Sequence, residues 1–88
     1  MVRSFKRVTI GWDDSTAPAD IEWMTRKQVK ALRPVGCWTI GFLIADELDY
    51  VTVASSRLTN GHYCGVMCIP RCSIRVLIID DRVVLPSR

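Results

Sequence analysis

Histidine is almost missing from this chain: His62 stands alone among 88 residues. No nucleophile motif and no glycine-rich phosphate loop accompany it, and the carboxylates Asp46, Glu47 and Asp49 sit together in one turn-like segment. Catalysis needs a positioned acid, base or nucleophile, so an enzyme is the least expected reading and no cofactor is implied. Long apolar runs are absent too; none approaches the ~18 residues that a membrane span needs. The basic opening Met1–Arg7 has no apolar core behind it, which argues against a signal peptide and makes a cytoplasmic location the expectation. Internal repeats and low-complexity tracts are missing. Net charge is small. Twelve basic residues against nine acidic leave +3, which permits an anionic partner without announcing one.

What the chain does have is apolar patterning. Hydrophobic residues make up 49%, a globular composition, and residues 1–88 read as a single domain. A domain this small buries roughly 60–65% of its unfolded surface, so self-association would add stability. The stretch Ile40–Ser55 reads as a hairpin. Phe42 and Ile44 alternate with Leu43 and Ala45, the turn formers Asp46, Glu47 and Asp49 follow, and Val51 and Val53 resume the period of two. Strands are expected at Phe5–Trp12, Cys37–Ala45, Tyr50–Ser55, His62–Ile69 and Ile74–Ile79, with an added edge segment through Val83, Val84 and Leu85. The residues Val76, Leu77, Ile78 and Ile79 are expected to offer an open edge for pairing. Asn60-Gly61 is a turn dipeptide suited to positive φ. Pro70 makes the last corner, because proline donates nothing to a central ladder. Short antiparallel strands with such corners predict a mainly β fold: a small closed barrel of five strands, with one short helix inserted between the first two.

That helix is expected at Thr25–Leu32, with Thr25 as N-cap, Gln28 reaching back to complete a capping box, and Pro34 as the stop. Val29 and Leu32 are expected to face the core, and Arg26, Lys27 and Lys30 the solvent. Thr16–Glu22, around Pro18, reads as an irregular connection. Trp23 is expected to plug an end of the core. Packing also accounts for Trp12 and Trp38, and the functional alternative makes one of the three tryptophans a stacking platform for a base. Cys64, Cys68 and Cys72 recur at spacings of four with His62 upstream, a pattern that evokes zinc. On a strand, residues four apart are separated by roughly 13 Å, whereas zinc–sulfur bonds are ~2.3 Å, so these thiols cannot share an ion within one strand. With Cys37 they are expected as buried, unpaired, metal-free small hydrophobes.

Gly41-Phe-Leu43, the turn from Asp46 and the strand Tyr50-Val-Thr-Val53 resemble the first Sm motif, a glycine-x-leucine followed by an aspartate turn and a hydrophobic strand. Gly65, Ile69, Arg71 and Ile74 resemble the second. The order of motifs is also similar to small phage-encoded proteins of unassigned role. Tyr50 stands where the Sm family carries its base-holding asparagine, Pro70 separates Ile69 from Arg71, Cys72 replaces a glycine, and the helix follows the first strand instead of preceding the barrel. Resemblance to the Sm-like (LSm) family implies an SH3-like barrel, a ring-shaped homo-oligomer joined through the fourth and fifth strands, and RNA or nucleotide binding on one rim.

The site so implied is Tyr50 for stacking, Arg71 for phosphate and Asp46 as the family aspartate. Arg71 has two readings: a fork for an anion, or a partner of Asp46 or Asp49 that rigidifies the rim. Three functions follow from this. One is an Sm-like ring binding RNA or a small nucleotide. Another sequesters an anionic signal such as a cyclic nucleotide between subunits, with Arg71, Arg75, Arg26 and Lys27 as its cations. The last is a structural subunit with no ligand.

Overall fold

The computed structural model describes residues 5–17 and 23–84. Six strands form one antiparallel sheet: β1 (Arg7–Asp14), β2 (Val35–Asp46), β3 (Tyr50–Arg57), β4 (Tyr63–Pro70), β5 (Ile74–Ile79) and β6 (Arg82–Val84). Their order across the sheet is β4-β3-β2-β1-β5-β6. One helix, α1 (Arg26–Lys30), lies between β1 and β2 in the chain, and a single 3-10 turn, Arg71–Ser73, joins β4 to β5.

That short joint forces the sheet to curl. β4 and β5 stand four positions apart, about 19 Å in a flat sheet at ~4.8 Å per strand. The chain from Pro70 to Ile74 spans at most about 14 Å when fully extended. The two ends therefore approach each other, and the inward-facing alternate residues meet. Val8 and Ile10 of β1, Val51 and Val53 of β3, Ile69 of β4, and Ile74 and Leu77 of β5 form one buried cluster, with Trp12, Leu43 and Ile79 packed against it. Trp12 anchors its indole by donating from Nε1 to the Thr39 hydroxyl at 2.9 Å.

The expected closed barrel of five strands is instead an open sheet of six. β6 folds back onto β5, with Val84, Val83 and Arg82 opposite Leu77, Ile78 and Ile79. It occupies the edge that Leu77–Ile79 were expected to leave open, so among the described residues the sheet's free edges are β4 and β6. Leu85, expected in the same edge segment, lies outside the described residues, as do residues 18–22 of the connection around Pro18.

Two motif glycines are fixed by close approach. A Cβ on Gly41 would stand 2.5 Å from the Ala54 carbonyl oxygen. Gly65 has φ +63°, and its Cβ would stand 1.9 Å from Ser55 Oγ.

Several residues expected inside are outside. Trp23 is fully exposed, and Val29 and Leu32 are exposed as well. No residue of α1 is buried, although the expected capping box forms between Thr25 and Gln28. Cys64, Cys68 and Cys72 are exposed free thiols, and Cys37 is half-buried. Cys64 and Cys68 ride on an edge strand whose only buried residue is Ile69. Among the described residues no helix is long and apolar enough to cross a membrane.

Candidate functional site

The acidic turn between β2 and β3 meets the corner between β4 and β5. The turn closes locally, with the Glu47 N–H donating to the Tyr50 carbonyl at 2.9 Å. Pro70, with φ −59°, delivers Arg71 into the 3-10 turn, and the Arg71 N–H donates to the Asp49 carbonyl at 2.9 Å. Its side chain then threads back under the turn. Nε donates to the Glu47 carbonyl at 3.1 Å, and Nη2 pairs with the Asp46 carboxylate. Arg71 is 7% exposed, a buried charged residue at the edge of the core.

Tyr50, Asp46 and Arg71 are thus brought to one corner. Tyr50 stands opposite Pro70 in the β3–β4 ladder and is 38% exposed. Its neighbour Val51 points into the core, so alternation sets the phenol on the outer face. Arg71 pairs with Asp46, one of the two roles expected for it. Electrostatically the corner holds one guanidinium among Asp46, Glu47 and Asp49, and that guanidinium is already engaged twice. Such an arrangement fixes the backbone of the turn and displays an aromatic ring beside it, but it offers no bare cation to a phosphate.

The other expected cations are dispersed. Arg75 pairs with Asp13 of β1. Arg26 and Lys27 lie on the exposed helix. Among the described residues, no three His, Cys, Asp or Glu side chains gather so as to hold a metal ion. A further cation escaped the sequence reading: Arg57 lies 4.3 Å over the ring of Phe5, which in turn packs edge-on against Phe42. The ring faces the guanidinium of an arginine whose buried Nε has no hydrogen-bond partner. Phe5 and Arg57 are far apart in the chain, and no local signal links them.

No protein-family model, curated protein or solved structure matches this chain. The Sm resemblance accordingly rests on its motif residues alone.

Proposed function

We propose that this chain is the subunit of a self-assembling, Sm-like β module that binds a nucleotide or short RNA as an oligomer and catalyses no reaction. The observation that carries the reading is an open sheet edge: β4 closes one side of the sheet, and all of its residues except Ile69 are exposed. Two different faces per subunit are what a head-to-tail ring consumes. Two free edges supply candidates for them, and β4 adds exposed apolar side chains at Tyr63, Val66 and Met67.

In such a ring the Tyr50 corner repeats once per subunit. Arg71 serves there as the strut that holds the Asp46 turn, and Tyr50 as the stacking surface for a base. A small phage-encoded protein acting in the host cytoplasm belongs to the same proposal. The second reading, a structural subunit without ligand, is favoured by one observation: Arg71 is buried and spent on Asp46 and Glu47.

Light scattering after size exclusion tests the assembly, with a closed oligomer expected at micromolar concentration; a clean monomer would refute it. Titrating the oligomer with short RNA, mononucleotides and cyclic nucleotides separates the readings. Binding that is lost in Tyr50→Ala supports the rim site, and silence from every ligand leaves the structural subunit.

A further inference from the structure

The outer face of the sheet carries an open recess of about 280 Å³, away from the Tyr50 corner. Register explains how it forms. Gly11 stands between Trp38 on β2 and Val76 on β5, and Gly36 stands opposite Asp13. The Trp38 ring lies over Gly11, where any Cβ would be 3.0 Å from ring carbon Cζ3. A Cβ on Gly36 would meet no atom within 4 Å, so the space beside the indole is clear. Trp38 is 67% exposed. The opposite side of the recess is a β-bulge: the ladder slips between Gly11 and Trp12, leaving Arg75 unpaired in register between Ile74 and Val76. Bulges re-aim side chains, and here the Arg75 Nε donates to Asp13 Oδ2. The Arg75 side chain is 74% exposed, and among the described residues its terminal nitrogens and the second Asp13 oxygen make no further hydrogen bond, so they face the recess open to a ligand.

We infer that this recess is a binding site for a guanine base, offered as a free nucleotide or within single-stranded RNA. The indole supplies a stacking face that any base can use. Selection comes from the ion pair. Arg75 and Asp13 cancel in charge, which suits a neutral hydrogen-bonding ring better than a bare phosphate. Together they present donors beside an acceptor. Guanine presents the complement, with O6 and N7 accepting from a guanidinium and its N1–H and exocyclic amine donating to a carboxylate. Adenine offers an amine where the guanidinium needs an acceptor. The volume lies just under the ~300–1,000 Å³ of small-molecule pockets, room for one base and not for two. The inference shares the nucleotide class with the proposal above but uses none of its residues, so the two can fail separately.

Calorimetry on the intact protein with GMP, AMP and CMP tests it, beside RNA tetranucleotides with and without guanine. GMP is expected to bind saturably and about tenfold or more tighter than AMP, the discrimination of one good bidentate contact. Gly36→Val fills the recess with a residue that suits an exposed strand, so GMP affinity should fall at least tenfold while the melting temperature holds or rises. Arg75→Gln should erase the preference for GMP over AMP. A guanine-containing tetranucleotide that binds tighter than GMP assigns an RNA strand; equal or weaker binding assigns the free nucleotide. Absence of saturable GMP binding at millimolar concentration, equal affinity for GMP and AMP, or unchanged binding in Gly36→Val would overturn the inference. Loss in Tyr50→Ala but not in Gly36→Val would also overturn it, while leaving the rim site standing.

Discussion

Arg71 shows what one residue does for this fold. Its guanidinium bridges a carboxylate and a backbone carbonyl of the β2–β3 turn while its own N–H holds a third residue. Truncation leaves Asp46 and the Glu47 carbonyl without their donor. Because the Asp46 side chain is 43% exposed, it can rehydrate, so the loss stays below that of a fully buried pair. Arg71→Ala should cost about 2 kcal/mol, read from urea unfolding, and Arg71→Lys should recover only part of it, since an ammonium cannot span both acceptors. An unchanged unfolding midpoint in Arg71→Ala would remove the strut role. Gly65 makes the complementary case at a position where nothing can be added. Gly65→Ala combines positive φ with a collision against Ser55 and should lower stability by about 1–2 kcal/mol. Ser55→Gly in the same chain should return the steric share and leave the backbone share, a partition that a double-mutant cycle measures.

At the level of elements, alternation gave strands reliably and coverage poorly. Ile74–Ile79 matches its expected span residue for residue, and β3 and β4 begin or end within two residues of expectation. Period two reports which side chains share a face; it is silent on whether anything lies over that face. Cys64 and Cys68 are therefore expected inside and are outside, and the 3.6-residue period misplaces Val29 and Leu32 for the same reason, since among the described residues nothing covers the face they share. The Tyr50–Arg71 corner was legible because two short motifs flagged its residues. The Trp38 recess was not, because Gly11, Gly36 and Arg75 become neighbours only through strand register and a bulge. The hairpin between β5 and β6 carries another property hidden from the pattern. Asp80 and Asp81 both take positive φ, 48° and 67°. Two such residues make the kind of tight turn that favours glycine at its second position. The Asp80 carboxylate accepts from the Arg7 N–H, whereas Asp81 contributes one exposed pair with Arg7. Asp81→Gly should therefore stabilise by about 0.5–1 kcal/mol, a rise of a few degrees in melting temperature. A lower melting temperature would show that the exposed pair matters more than the strain.

For the whole molecule the proposed assembly is tested at the free edge β4. Val66 on that strand is 57% exposed, and a charge placed there is a natural device against edge pairing. Val66→Lys should shift the assembly to monomers in sedimentation; an unchanged oligomer would move the joint to β6 or to a face. Thiol labelling gives an independent measure. Cys64 and Cys68 share β4 with Val66 and are exposed in a single subunit. They should react more slowly in the oligomer than in the Val66→Lys monomer, whereas Cys72, beyond the strand, should change less.

The position of β1 also sets a timetable. β1 is flanked by β2 on one side and β5 on the other, and β5 begins some sixty positions after β1 ends. On a ribosome adding about 5–20 residues per second, one edge of β1 waits roughly 3–12 s for its partner. During that interval β1, β2 and β3 can already form a meander, but Val8 and Ile10 lack the Leu77 and Ile74 that cover them. Refolding of the full chain should accordingly be slow for its size, on the order of milliseconds to seconds, and limited by docking of β5. The same waiting edge is where a second nascent chain could insert its own β5, so the strand order that completes the core is also the one that invites exchange between chains made side by side.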